Sequence, residues 1–90
     1  MRFEWDAVKA KENLRKHRVS FEEASTVFED RHAALWFDQE HSQAEDRYLL
    51  CGHSNMARLL MVSHCYSDDD CVRLISARKA SPDEFIIAKR

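Results

Sequence analysis

Four apolar runs fill the C-terminal two thirds of the chain, and polar segments separate them. The runs cover residues 33–37, 47–52, 58–66 and 71–78. Each has the length of a strand, and their aromatic and β-branched residues favour extended backbone. Because short connections join successive strands most readily when neighbours run in opposite directions, the four runs predict an antiparallel sheet.

The N-terminal third is predicted to contain two helices. Asp6 is a suitable N-cap for a helix over residues 7–17, whose alanines and long unbranched side chains have high helix propensity. Ser20 and Glu23 stand three residues apart and predict a full capping box at the start of a second helix, which ends near residues 29–30.

A third helix is predicted directly after the last strand. Ser81 can cap it, Pro82 suits its first position, and Glu84 completes a capping box. Residues 2–5 alternate between charged and aromatic side chains and predict a short edge strand. The expected architecture is therefore a single α+β domain over residues 1–90: a short N-terminal strand, two helices, a four-stranded antiparallel sheet and a C-terminal helix, with the helices packed on one face.

The composition is that of an ordinary globular domain, with 44% hydrophobic and 33% charged residues. No apolar run approaches the roughly 20 residues of a membrane span, and the N-terminus lacks the apolar segment of a signal peptide. We expect a cytoplasmic protein. Cys51, Cys65 and Cys71 are predicted to be buried free thiols, and their spacing from the histidines predicts no metal site. No cofactor is predicted.

The net charge of −2 hides an uneven distribution of charge along the chain. Residues 1–19 sum to +3, residues 20–46 to −7, residues 47–66 to +2, and residues 67–90 to zero. Net charge therefore neither favours nor excludes nucleic acid as a partner, and only a local basic patch can decide the question.

Arginines on the predicted strands are the first candidates for chemistry. Arg58, Arg73 and Arg78 place guanidinium groups on a rigid frame, and the planar guanidinium matches phosphate or carboxylate. Strict alternation puts Arg73 and Arg78 on opposite faces unless a bulge intervenes. Arg58 and His64 share a face but lie roughly 20 Å apart at about 3.3 Å per residue. The alternative for each arginine is a surface ion pair.

Other candidates also have structural alternatives. His64 is a candidate for proton transfer or a half-buried sheet histidine. His17 is a second candidate for proton transfer, or it stabilises the end of the first helix through the helix dipole. Arg47 binds a polyanion or pairs with the acids of residues 38–46, and Lys16 binds RNA or belongs to a solvated face.

Five segments taken together resemble the BrnT family of toxins from bacterial type II toxin–antitoxin modules. The resemblance covers nearly the whole chain in the correct order. The segments are Phe3-Glu4-Trp5-Asp6, Asn13-Leu14-Arg15-Lys16-His17, Val19-Ser20-Phe21-Glu22-Glu23-Ala24, Val27-Phe28-Glu29-Asp30, and the run from Val72 to Ser81.

This resemblance implies a RelE-like fold and a ribosome-independent, metal-independent endoribonuclease that arrests growth by cleaving RNA. It also implies a neighbouring ribbon-helix-helix antitoxin of the BrnA type, bound as a 2:2 or higher heteromer, through which alone the toxin reaches operator DNA. The site residues that it suggests, with Lys79 added from the arginine-rich end of the last strand, fall into two groups. The catalytic candidates are Arg58, His64, Arg73, Arg78 and His17, and the RNA-binding candidates are Lys16, Arg47 and Lys79.

Two positions depart from the family pattern. Arg18 stands where the family commonly has glycine, which predicts a less sharply turned connector. Residues 67–70 are one serine and three aspartates where the family often has a basic residue, and acids near an RNA site repel phosphate. The acidic turn motivates a second hypothesis, a weak or inactive toxin homologue that acts as an antitoxin-binding co-repressor. A third is an RNA-binding module without cleavage.

Overall fold

The computed structural model of the chain describes residues 1–68 and 70–89, and its elements follow the predicted order. Short 3₁₀ helices at Thr26–Glu29 and Gln39–His41 supplement the regular elements. The strands and α-helices are β1 (Arg2–Glu4), α1 (Ala7–His17), α2 (Phe21–Ser25), β2 (Ala34–Phe37), β3 (Tyr48–His53), β4 (Leu59–Asp68), β5 (Cys71–Lys79) and α3 (Pro82–Ala88).

The strands form one sheet in the order β1-β5-β4-β3-β2. β2 to β5 pair antiparallel, as predicted, and β1 joins the edge of β5 in parallel. The sheet is therefore five-stranded and mixed, which corrects the prediction of a four-stranded antiparallel sheet. The physical reason is the long connection between β1 and β5, which allows the parallel pairing that short turns forbid.

The apolar core lies between the N-terminal helices and one face of the sheet. The side chains that form it are fully or almost fully buried: Val19, Phe21, Ala24, Val27, Leu50, Leu60, Val62, Val72, Leu74 and Ala77. The helix α3 lies against the other face, where Glu84 pairs with Arg78 and the Phe85 ring meets the His53 ring. The prediction that all helices share one face is therefore wrong for α3.

A β-bulge in β5 decides which side chains face away from the core. Ser63 pairs with Ser76, but the next residue, His64, pairs with Leu74, so Ile75 is an extra residue. One extra residue reverses the alternation beyond it. Arg73 opposite Cys65 and Arg78 opposite Met61 consequently lie on the same face of the sheet, which strict alternation would have separated.

The helix starts confirm most of the capping predictions. Asp6 accepts a hydrogen bond from the Val8 amide (2.7 Å), and Ser81 and Glu84 form the complete capping box of α3. Ser20 caps α2 by accepting from the Glu23 amide (3.0 Å). The Glu23 carboxylate, however, is bound elsewhere, so the full capping box predicted at α2 is only half formed.

The connector between α1 and α2 turns sharply. Arg18 adopts a left-handed conformation with φ of 59°, so the prediction of a looser connector is wrong. The buried Asn13 holds the turn to the sheet because its amide donates to the carbonyl oxygens of Val19 (2.9 Å) and Ala77 (2.8 Å). The Ala77 amide donates back to Asn13 Oδ1 (3.0 Å), which satisfies both ends of the buried side chain.

Cys51, Cys65 and Cys71 are buried free thiols, as predicted. Within residues 1–68 and 70–89, no helix has the length and apolar character needed to cross a bilayer. The same residues contain no group of three histidine, cysteine or acidic side chains placed to bind a metal ion.

Candidate active site

The face of the sheet opposite α1 and α2 carries a polar cleft of about 370 Å³. Strands β3, β4 and β5 form its floor, and the segment between β2 and β3 forms one wall. A volume of this size is in the range of small-ligand sites, about 300–1,000 Å³. Its polar side chains are Asp38, Glu40, His41, Arg47, Ser63, Ser76 and Arg78.

Arg78 stands at the end of the cleft nearest α3. Its Nη1 donates to Glu84 Oε1 (3.1 Å) and its Nη2 to Glu84 Oε2 (2.8 Å), a bidentate pair. The Arg78 guanidinium, together with the Ser81 amide, lowers the pKa of Glu84 to about 2. Arg78 is thereby held in one orientation by an acceptor whose geometry resembles that of a phosphate.

Arg73 lies on the same face, further along β5. Its Nε donates to the Cys65 sulfur (3.3 Å), and its Nη2 pairs with the Glu45 carboxylate. Glu45 also lies 3.9 Å from Arg47 Nε, so this carboxylate stands between two guanidinium groups. The acid thus connects Arg73 to the wall of the cleft.

Arg47 is the least satisfied of these arginines. Among the residues that the structure describes, its Nε is the one buried side-chain nitrogen or oxygen atom without a hydrogen-bond partner. Pairing with the acids of residues 38–46, the structural alternative for Arg47, is limited to the 3.9 Å approach of Glu45. A buried donor without an acceptor is costly, and a hydrogen-bond acceptor brought into the cleft would offset that cost.

His41 was not among the residues predicted from the sequence. Its Nδ1 lies 2.9 Å from Asp38 Oδ2, and the side chain is 63% exposed whereas Asp38 is buried. The 3₁₀ helix Gln39–His41 brings the two side chains together because residues three apart align in such a helix. An Asp-x-x-His sequence directly after a strand was the signal that could have revealed the pair.

His64 lies on the opposite face, within the core. It is fully buried; its Nδ1 donates to the Val62 carbonyl (3.2 Å) and its Nε2 accepts from the Tyr66 hydroxyl (3.2 Å). Burial lowers the pKa of its imidazole. The structure therefore separates His64 from the arginines of the cleft.

Arg58 also lies on the core side of the sheet, where it binds Glu23. Its Nε donates to Glu23 Oε2 (2.9 Å) and its Nη2 pairs with Glu23 Oε1 and with the Arg18 carbonyl. The Ser54 hydroxyl donates to the same carboxylate (2.7 Å). This network connects α2 to the start of β4, so Arg58 stabilises the fold at this place.

The remaining predicted residues lie outside the cleft. Lys16 and His17 are exposed in the last turn of α1, and Lys79 pairs across the sheet with the buried Leu60, near Glu23. The structure thus places two of the eight predicted site residues, Arg47 and Arg78, in the lining of the cleft, and a third, Arg73, on the same face of the sheet as Arg78. It places the other five elsewhere, namely Arg58, His64, His17, Lys16 and Lys79.

Two carboxylates of the acidic turn between β4 and β5 lie close to positive charges at the N-terminus of the chain. Asp70 lies 3.3 Å from the N-terminal ammonium, and Asp68 lies 3.8 Å from Arg2. Neither residue lines the cleft, and Asp69 lies outside the described residues. The repulsion of phosphate expected from this turn is therefore reduced for these two carboxylates.

Comparison with known proteins supports the resemblance. The family model for "Ribonuclease toxin, BrnT, of type II toxin-antitoxin system" matches residues 5–84. The crystal structure of the Brucella abortus ribonuclease toxin BrnT is similar to this fold with a TM-score of 0.66 and 23% identity, over 90% of this chain and 97% of that chain. No curated protein sequence matches this chain. Because the family model spans most of its length, the chain belongs to the BrnT family of ribonuclease toxins from type II toxin–antitoxin systems.

Proposed function

We propose that this chain is a metal-independent endoribonuclease and that it binds the RNA phosphate in the cleft on the face of the sheet opposite α1 and α2. The observation that carries the proposal is a cleft of about 370 Å³ that Arg47 and Arg78 line, with Arg73 on the same face of the sheet as Arg78. The bulge at Ile75 places Arg73 and Arg78 on the same face.

Guanidinium groups supply one of the three things that RNA cleavage requires. The reaction needs activation of the ribose 2′-hydroxyl, stabilisation of the charge on the pentavalent phosphate, and protonation of the leaving 5′-oxygen. Fixed arginines perform the second role because they remain charged and donate in a planar fork.

The carboxylates bound to these arginines are compatible with phosphate binding. Arg73 and Arg78 are both partly exposed, and their partners Glu45 and Glu84 are exposed to a similar degree. Ion pairs of this kind contribute only about 0.2–1 kcal/mol each. An RNA phosphate can therefore replace the carboxylates, which orient the guanidinium groups until RNA binds.

The partner of such a toxin is an antitoxin that blocks it. On the basis of the family, we propose that the partner is a ribbon-helix-helix antitoxin of the BrnA type and that the two proteins form a 2:2 or higher complex. The toxin contacts operator DNA only through this antitoxin. When the toxin is free, it arrests growth in the cytoplasm.

The test measures cleavage of a single-stranded RNA by the purified chain in excess chelator. We expect cleavage to persist, and Arg78→Ala or Arg73→Ala to lower the rate about 100-fold or more, as loss of one transition-state donor does. Arg15→Ala is the matched control, because Arg15 forms an exposed pair with Glu12 on α1. Loss of cleavage in chelator, or full activity of Arg78→Ala, would overturn the proposal.

A second candidate is a co-repressor without catalytic activity. The observation that favours it is the pairing of Arg73 and Arg78 with acids in the free chain. Expression of the chain alone separates the two candidates, since growth arrest excludes a purely co-repressing role.

A further inference from the structure

We propose that His41 is the general base of the cleavage reaction and that Asp38 is its positioning residue. This inference rests on the proposed ribonuclease function and assigns a group to the first requirement, activation of the 2′-hydroxyl. It depends on the contact between the two side chains and on their place in the cleft.

The contact determines which imidazole nitrogen is available. A carboxylate can only accept, so the 2.9 Å contact places the proton of the imidazole on Nδ1, from which it is donated to Asp38 Oδ2. In the neutral form of the imidazole, Nε2 then carries a free lone pair. Because the His41 side chain is 63% exposed and lines the cleft, that lone pair is accessible to an RNA hydroxyl.

The segment that carries the pair is held in place before substrate binds. The Asp38 amide donates to the Arg47 carbonyl (2.9 Å), and the Arg47 amide donates to the Ser42 hydroxyl (2.9 Å). The Ser42 hydroxyl donates in turn to the Asp38 carbonyl (2.5 Å). These bonds close the segment onto the start of β3, so His41 keeps a fixed position relative to the arginines.

His41 is the one histidine, of the five in the chain, that lines the cleft. His64 is buried on the other face. His53 approaches Asp30 at 3.8 Å, but its ring packs against Phe85 of α3. The charged groups that share the cleft with His41 are Asp38, Glu40, Arg47 and Arg78, so a base and two phosphate-binding groups occupy one space.

The proposed step balances without a metal or a co-reactant. His41 Nε2 removes the proton from the 2′-hydroxyl, and the 2′-oxygen forms a bond to phosphorus. The bond from phosphorus to the 5′-oxygen breaks, and the leaving oxygen takes a proton from the imidazolium or from water. The products are a 2′,3′-cyclic phosphate and a 5′-hydroxyl end. The arginines stabilise the negative charge that the pentavalent phosphate gains during the reaction.

The test uses the full chain and four variants: His41→Ala, His41→Gln, Asp38→Asn and the control His32→Ala. His32 is exposed and lies outside the cleft. We expect His41→Ala to lower kcat about 100-fold or more, with KM little changed, which is the usual contribution of a general base. Added imidazole should restore cleavage by His41→Ala and should leave the slow Arg78→Ala variant unchanged.

Two further readouts separate catalysis from structure. His41→Gln retains a hydrogen-bond donor for Asp38 but has no basic nitrogen, so it should be as slow as His41→Ala and should unfold at the wild-type denaturant midpoint. Asp38→Asn should lower kcat by less than His41→Ala, because it disturbs only the orientation of the base. His32→Ala should match the wild type.

The outcomes distinguish this inference from the function on which it rests. A wild-type rate for His41→Gln, or the absence of imidazole rescue in a folded His41→Ala, overturns the role of His41 and leaves the ribonuclease proposal standing if Arg78→Ala is slow. A wild-type chain that does not cleave RNA overturns both.

Discussion

Replacement of Arg58 by alanine should destabilise the domain rather than disable its chemistry. Arg58 was one of the catalytic candidates from the sequence, yet the structure binds it to Glu23 on the core side of the sheet. The Glu23 side chain is 5% exposed and that of Arg58 is 30% exposed. Arg58→Ala leaves a buried carboxylate with Ser54 as its remaining close donor.

The expected destabilisation follows from this geometry. Removing one partner of a buried ion pair costs about 3–5 kcal/mol because the other charge is left uncompensated. The partial exposure of Arg58 and the hydroxyl of Ser54 (2.7 Å from the carboxylate) reduce this cost. We therefore expect Arg58→Ala to lower the free energy of unfolding by about 2–3 kcal/mol, with each kcal/mol lowering Tm by about 4–8 °C in a domain of this size.

The pH dependence of the effect has a definite sign. Hydrogen bonding and charge from Arg58 lower the pKa of Glu23 from its ordinary value of 4.5. A lowered carboxyl pKa stabilises the fold above 4.5, and that contribution is lost as the pH falls toward the folded-state pKa. The difference in stability between the wild type and Arg58→Ala should thus be largest near neutral pH and should shrink below pH 4.5.

Denaturant unfolding followed by tryptophan fluorescence measures the effect. The control is the double variant Glu23→Gln/Arg58→Ala, which removes the uncompensated charge and should be more stable than Arg58→Ala alone. An Arg58→Ala protein that unfolds at the wild-type midpoint but no longer cleaves RNA would refute the structural assignment and return Arg58 to the reaction.

Three further predictions concern single positions. Arg18→Gly should raise the free energy of unfolding by about 0.5–1 kcal/mol, because glycine adopts the left-handed conformation (φ 59°) without steric cost, and a lower denaturant midpoint would contradict this. The Glu84 carboxyl should titrate near pH 2 in an NMR experiment, and Arg78→Ala should move that midpoint up toward 4.5; an unchanged midpoint would mean that Arg78 does not hold the acid. Gly52→Ala should destabilise the domain by about 1–3 kcal/mol, because its added Cβ would lie 2.7 Å from the Ala33 Cβ, and a wild-type Tm would show that this contact relaxes freely.

The candidate site was predictable from the sequence only in part. Arg73 and Arg78 were named because guanidinium groups on strands suit phosphate, and the family resemblance added Arg47. The structure places Arg47 and Arg78 in the lining of the cleft and Arg73 on the same face of the sheet as Arg78. His64 was named for its chemistry and from the family resemblance, and its burial was decided by packing against Phe28 (ring centroids 4.8 Å apart). His41 was overlooked although its partner Asp38 is only three residues away.

Local signals determined the elements of this protein. Asp6, Ser20 and Ser81 begin the helices at the predicted places, because a cap depends on groups within three residues. The four apolar runs form the antiparallel strands, because the length of each run and its residue types are also local features. The order of the motifs indicated the family.

The tertiary structure decided which of these elements meet and which way their side chains point. The bulge at Ile75 arises from the pairing of β4 with β5, and it places Arg73 and Arg78 on one face. Likewise, the Glu23 carboxylate binds Arg58, a residue 35 positions away, instead of completing the capping box with Ser20. Register and long-range ion pairs depend on the competition among partners distant in sequence, and one residue of register reverses every side chain of a strand.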